Sequence, residues 1–180
     1  MTEREPITSE WIEIRQSKIH NKGVFAAKDI SKGTKIIEYV GKIVSKKESE
    51  DISDKEIEFS KSNPETKGAV YIFTLNKKYD INGNVSWNTA RLINHSCDPN
   101  CESDVIYGKV WISAIKNIKK GEELSYDYGY DLDDWENHPC ICGSKNCIGY
   151  ITDSENWIKL RKKFRWKKRK RVRDNFVATI

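Results

Sequence analysis

Three segments of this chain concentrate side chains that can do chemistry. The first, Arg91-Leu-Ile-Asn-His-Ser-Cys-Asp-Pro-Asn-Cys101, sets a histidine, a cysteine and two amides of the kind usually found buried inside one tight polar turn. The second, Glu123-Leu-Ser-Tyr-Asp-Tyr-Gly129, spaces Tyr126 and Tyr128 two residues apart, so on a strand both share one face. The third is Cys140-x-Cys142-x4-Cys147. Together with Cys97 it supplies four thiols, the number a tetrahedral all-thiolate zinc site requires. The chain has five cysteines, an odd count, and Cys140-x-Cys142 is an awkward spacing for a disulfide scaffold. Clustered cysteines in a cytosolic chain hold metal more often than disulfides. Cys101 is left over and reads as a small packed hydrophobe.

Such side chains need a frame, and the frame reads as mainly β. Trp11 to Arg15 alternates apolar and polar residues as a half-buried strand does. Val24 to Ala27 and Lys35 to Val40 are short β-type runs separated by the turn Ser31-Lys-Gly33. Ser45-Lys-Lys-Glu48 is a capping box that opens a charged helix running to about Phe59, before Asn63-Pro64 breaks it. Ala69 to Leu75 and Lys78 to Ile81 predict two strands, with Asn82-Gly83 carrying a hairpin-type turn signal. Asp104 to Tyr107 and Lys109 to Ile115 predict a hairpin around Gly108, and Lys119-Lys-Gly121 turns the chain into the Glu123 segment. From Ser154 the period changes: Trp157, Leu160 and Phe164 fall on one helical face, while Lys159, Arg161, Lys162, Lys163 and Arg165 occupy the others. Lys167 to Arg173 then projects as a basic arm.

A chain of 180 residues suits one domain with a small appendage. Six Trp, eight Tyr and five Phe supply bulky core material that argues against wholesale disorder. No apolar run approaches the roughly 18 residues needed to cross a membrane, and Met1 to Pro6 lacks a signal-peptide core. The expected compartment at synthesis is the cytosol, with no membrane partner. The net charge of +5 hides an asymmetry. Residues 152–180 hold 11 basic and 3 acidic side chains, whereas residues 1–151 hold 21 basic and 24 acidic. The body can receive a basic peptide and the tail an acidic polymer.

Taken in this order, the three segments resemble the catalytic core of the SET-domain protein lysine methyltransferases, together with the cysteine-rich post-SET segment that many members carry. The likeness covers roughly residues 11–151. It implies a SET domain over 11–130, a post-SET zinc segment over 131–151, and a basic C-terminal helix and tail over 152–180. The implied fold has several small sheets and a pseudoknot-like C-terminal segment. The implied reaction moves a methyl group from S-adenosylmethionine to a lysine side chain. Tyr128 matches the catalytic tyrosine, and Tyr39, in Glu38-Tyr-Val-Gly41, matches a residue lining the lysine channel. Tyr126 occupies the position that influences how many methyls fit, and a tyrosine there favours monomethylation.

For the cofactor, the resemblance implies Lys22, Gly23 and Val24 in a first-motif turn, Tyr71, Asn94, His95 and Tyr150, with Asn94 and His95 acting largely through backbone groups. Structural zinc on Cys97, Cys140, Cys142 and Cys147 would pin the C-terminal segment. Two departures stand out. Asn21 replaces the usual first glycine of the first motif, where Asn tolerates the left-handed conformation, and Trp87-Asn88 replaces Gly-Asn. The implied substrate is a basic lysine-containing segment such as a histone tail, which Asp131, Asp133 and Asp134 could greet; a solvated acidic loop is the plain alternative. Residues 159–173 are consistent with nucleic-acid contact, a nuclear or chromatin targeting signal, or a solvated face. A catalytically idle SET-like zinc module that binds nucleic acid through this tail is the competing function.

Overall fold

The computed structural model describes residues 4–19, 21–63, 70–133 and 135–164. Among the described residues, ten short strands and two α-helices make a mainly β molecule of small sheets. Two compact units divide it: the chain up to Asn94 together with Pro99–Tyr126, and His95–Asp98 together with the chain from Asp127 onward. No helix among the described residues is long and apolar enough to cross a membrane.

In the first unit β1 (Ile12–Gln16) pairs antiparallel with β2 (Lys22–Ala26), with Ile12 opposite Ala26. A second sheet runs β3 (Lys35–Tyr39), β9 (Lys109–Ala114), β8 (Cys101–Ile106), with β9 central. The register slips between Lys35 and Ile37, and the slip puts the consecutive residues Ile36 and Ile37 both into the core, where strict alternation would expose one. Val110 and Ile112, which share one face of the central strand, are fully buried, while Trp111 on the other face is half-buried. The third sheet orders β4 (Lys42–Ser45), β6 (Tyr79–Asn82), β5 (Ile72–Thr74). β7 (Asn94–His95) and β10 (Ser125–Tyr126) form the last pair.

The local signals mostly translate directly. Helix α1 spans Lys46–Ser62, and Ser45 and Glu48 close its capping box through bonds of 2.7 to 3.3 Å. Tyr107 and Gly108 take φ of 50° and 74°, the left-handed pair of a two-residue hairpin turn between β8 and β9. One strand is shorter than expected. The strand predicted from Ala69 is β5 alone, Ile72–Thr74, with the Tyr71 carbonyl before it accepting the Gly83 N–H (2.7 Å) and the Tyr39 hydroxyl (3.1 Å); residue 69 lies outside the described residues. The chain does turn at Asn82-Gly83, where Asn82 Oδ1 accepts the Asn84 N–H at 3.0 Å, but this turn does not join β5 to β6. The β5–β6 connection turns earlier, where Asn76 Oδ1 accepts the N–H groups of Lys78 and Tyr79. Gly83 is glycine for space: a Cβ there would collide with the Tyr39 ring.

The second unit has little regular structure. Turns at Trp135–Asn137 and Ser154–Asn156 lead to helix α2, residues 157–164. Leu160 on that helix is fully buried, and Trp157 donates its indole N–H to the Thr152 carbonyl. Phe164 packs at 5.3 Å from Trp135 and 5.7 Å from Tyr150, while those two rings meet edge to face at 4.5 Å. The aromatic stripe predicted for this helix therefore does dock. The basic arm from Lys167 to Arg173 lies outside the described residues, as do Arg165 and Asp134.

Candidate active site and metal centre

The first-motif turn is closed by the Ser17 N–H donating to the Asn21 carbonyl at 2.7 Å, and Asn21 takes φ 39°. The left-handed position expected of a glycine is thus filled by the residue type that tolerates it best after glycine. Lys22 and Asn21 are exposed, while Gly23 and Val24 turn into the core. Gly23 has no room for a side chain, because the Glu123 carboxylate fills the space a Cβ would need.

Glu123 is the organiser of this region. Its Oε1 accepts from the Ser17 hydroxyl and from Asn94 Nδ2, each at 2.7 Å, and its backbone carbonyl accepts from Asn100 Nδ2 at 2.8 Å. Asn100 Oδ1 in turn accepts the Ser125 N–H at 2.9 Å. A carboxylate can only accept here, so it fixes the Asn94 amide with its NH2 toward Glu123 and leaves Oδ1 as the acceptor end. An amide oxygen presented this way suits a donor-only ammonium. Glu123 was not among the expected site residues. Its place at the head of the Glu123–Gly129 motif marked it, but its reach back to Ser17 and Asn94 had no local trace.

Tyr39 and Tyr71 form a second group of the same unit. Tyr39 is 3% exposed, bonds to the Tyr71 carbonyl and tilts against Phe73 with ring centroids 5.4 Å apart. The Tyr71 ring carries the Arg91 guanidinium at 5.6 Å. Tyr126 is buried on β10. Asn88, in the segment that departs from Gly-Asn, is buried and spans the Gly83 carbonyl (3.1 Å) and the Val40 N–H (3.4 Å), so it ties these loops together.

In the second unit the His95 ring stands at the centre. Its Nδ1 accepts the Tyr128 backbone N–H at 3.3 Å, and its Nε2 lies 3.5 Å from Cys97 Sγ. The Tyr128 ring meets it edge to face at 5.4 Å. Burial pushes His95 down to about 4, so the ring is neutral at neutral pH. Asp127 is raised by burial, although the Gly129 and Ser154 N–H groups counteract this. Tyr130 lies tilted against Tyr128 and meets His138 edge to face, and Tyr150 joins Trp135 and Phe164.

The sulfurs of Cys97, Cys140, Cys142 and Cys147 all lie within 4.8 Å of one another. A zinc–sulfur bond of about 2.3 Å in a tetrahedron sets sulfurs about 3.8 Å apart, and Cys97 and Cys140 stand at 3.8 Å. The donor set therefore fits a closed tetrahedral thiolate site. Burial pushes Cys97 up to about 12 and raises Cys140 as well. Burial would also raise Cys142, yet the Cys97 N–H and Ser144 bring it down to about 6. A divalent ion would displace the protons that burial favours on Cys97 and Cys140. Cys101 is 1% exposed and raised to about 12 by burial, as a packed hydrophobe should be.

Residues 21–129 match the SET domain. The chain is 40% identical over 147 residues to the histone-lysine N-methyltransferase trr of Drosophila melanogaster, covering 77% of this chain and 6% of that protein. It is 37% identical over 149 residues to human histone-lysine N-methyltransferase 2D, covering 78% and 3%. It is 34% identical over 148 residues to the H3 lysine-4 specific histone-lysine N-methyltransferase of Aspergillus oryzae, covering 78% and 11%. This chain thus spans only a small part of the length of these relatives.

Proposed function

The chain belongs to the SET-domain family, and on that premise we propose that it is a protein lysine N-methyltransferase that uses S-adenosylmethionine. One observation carries the reading. Glu123 holds the Asn94 amide at 2.7 Å, leaving Oδ1 as its acceptor end, and the same Nδ2 lies 3.5 Å from the Lys22 carbonyl of the first-motif turn. That arrangement is suited to the ammonium end of an amino-acid cofactor. In this reading the backbone of Lys22, Gly23 and Val24 receives the methionine end, and Asn94 and His95 hold the ammonium and adenine. Tyr71 and Tyr150 contribute further cofactor contacts. S-adenosylmethionine, when bound, supplies the methyl group as a sulfonium.

The residues of the chain then do the rest by positioning and electrostatics. The Tyr128 hydroxyl orients the lone pair of the acceptor amine, and Tyr39 lines its approach. Proximity to a cation and an apolar channel both favour the neutral amine, so no dedicated base is required. The Tyr126 hydroxyl restricts rotation of the amine and limits the product to one methyl. Cys97, Cys140, Cys142 and Cys147 hold a structural zinc with no open position. The relatives' names support a histone as the acceptor, which would place the working protein on chromatin, and the basic residues 159–173 suit nucleic acid there.

A radiolabelled methyl-transfer assay tests the proposal, with zinc-loaded protein, histones and ribosomal proteins as acceptors. Label should enter lysine with wild type and be lost in Tyr128→Phe. Tyr126→Phe should shift the product from monomethyl toward dimethyl lysine. Absence of both transfer and S-adenosylmethionine binding would instead support an idle zinc module that binds nucleic acid.

A further inference from the structure

The His95 side chain does something that a backbone role in cofactor binding does not require. We propose that its imidazole is a rigid link between the metal centre and the catalytic segment, coupling Cys97 Sγ on one side to the Tyr128 backbone on the other. The inference rests on the metal reading of the four cysteines given above. His95 is thereby a positioning residue that acts through Tyr128.

The argument starts from hydrogen-bond roles. A backbone N–H can only donate, so the Tyr128 amide 3.3 Å from Nδ1 requires Nδ1 to be without hydrogen. The ring hydrogen then sits on Nε2, which faces Cys97 Sγ at 3.5 Å. The group that competes for Nδ1 is the Asp127 carboxylate, whose Oδ1 stands 3.6 Å away. That separation exceeds a hydrogen bond, and the same carboxylate already accepts the Gly129 N–H at 3.0 Å and the Ser154 N–H at 3.2 Å. A hydrogen on Nδ1 would also give up the bond to Tyr128. The ring is therefore set as the Nε2–H tautomer by its neighbours.

The state of the sulfur decides how firmly that ring is held. A thiol is a weak acceptor, whereas a metal-bound thiolate is a charged one, and bonds to charged acceptors are roughly twice as strong. Metal binding converts the Nε2···Sγ contact into a charge-assisted bond and fixes the ring. The fixed ring then sets where the Tyr128 amide, and with it the tyrosine, is held. Because His95 is 4% exposed, water offers no substitute partner at either nitrogen. Ligand-orienting partners of this kind change metal affinity by about 10- to 100-fold when removed.

The two halves of the link can be separated in the full-length chain. Glutamine places an amide NH2 near the position of Nε2, and asparagine places an oxygen near that of Nδ1. His95→Gln should therefore keep the zinc-release rate to a chelator and the sulfur-to-cobalt charge-transfer band of cobalt-substituted protein. It should speed hydrogen exchange at the Tyr128 amide. His95→Asn should do the reverse, releasing zinc about 10-fold faster and shifting the cobalt band, with Tyr128 exchange near wild type.

Should either variant fail to fold, nitrogen-15 spectra of metal-loaded wild type decide the matter: hydrogen on Nε2 and none on Nδ1 is expected, and the reversed tautomer overturns the link. Metal retained with identical responses in both variants overturns the link alone. Purified protein that retains no zinc and takes up no cobalt overturns the metal reading and the link with it.

Discussion

The two units of this molecule hold themselves together by different means. The first buries aliphatic side chains on paired strands: Val24, Ile36, Ile37, Val110, Ile112 and Leu124 all lie at 2% exposure or less. Around them, ladder hydrogen bonds satisfy the backbone strand by strand. In the second, the buried hydrophobic side chains among the described residues are Cys97, Trp135 and Leu160. Short turns, one described helix and a cluster of four sulfurs complete it. A unit with so small an apolar core needs a staple, and a metal ion held by the four cysteines would supply one. Stability is spread over many contacts in the first unit and concentrated at one point in the second.

The strongest way to break that contrast is to remove the point. Chelation of the metal, or Cys147→Ser, should unfold the second unit and leave the sheets standing, since structural zinc sites carry on the order of 10 kcal/mol of folding free energy. Hydrogen exchange reads this directly: amides from 135 to 164 should exchange within minutes while those of β9 stay protected. Equal exchange in both units would erase the distinction. The sign with pH follows, because ligands must be thiolates. Acidification should release the metal and reproduce the chelator effect.

A matched pair of core truncations sharpens the comparison. Ile112→Ala and Leu160→Ala should each cost about 3 kcal/mol in thermal or denaturant unfolding of metal-loaded protein. Only Leu160→Ala should accelerate zinc release, because its helix belongs to the stapled unit. Glu123→Ala comes next. It removes the Oε1 to which Asn94 and Ser17 both donate, so S-adenosylmethionine affinity measured by calorimetry should fall about tenfold, or roughly 1.4 kcal/mol. The smallest effect expected is Ser45→Ala, which opens the cap of α1 and should lower stability by about 1 kcal/mol without touching either site.

Much of this was legible in the residues because it is local. The Ser45–Glu48 box and the Tyr107-Gly108 turn are made entirely by neighbours a few positions apart, and the Trp157–Leu160–Phe164 stripe is set by local spacing although Phe164 packs on Trp135 and Tyr150 farther along the chain. The cysteine cluster was legible for a different reason. Thiols are rare enough that four of them restrict the possible groupings, and they do converge within 4.8 Å. The resemblance that pointed to Asn94, His95, Tyr126 and Tyr128 rested on ordered motifs rather than on contacts, and it named no partners for their side chains.

The failures have a common cause as well. The turn at Asn82-Gly83 was legible but the reason for its glycine was not, because that glycine answers to the Tyr39 ring, more than forty positions away in sequence. Glu123 looked like one acidic residue after a turn, and it became the acceptor for Ser17 and Asn94. The His95 tautomer depends on which group meets each ring nitrogen, and both partners are chosen by folding. Local pattern thus determined the β character, the start of α1 and the grouping of the cysteines, while the family came from the ordered motifs. Which acceptor meets which donor over long separations was decided by tertiary structure alone, because hydrogen bonds and steric exclusion act over a few ångströms of space and carry no record in sequence spacing.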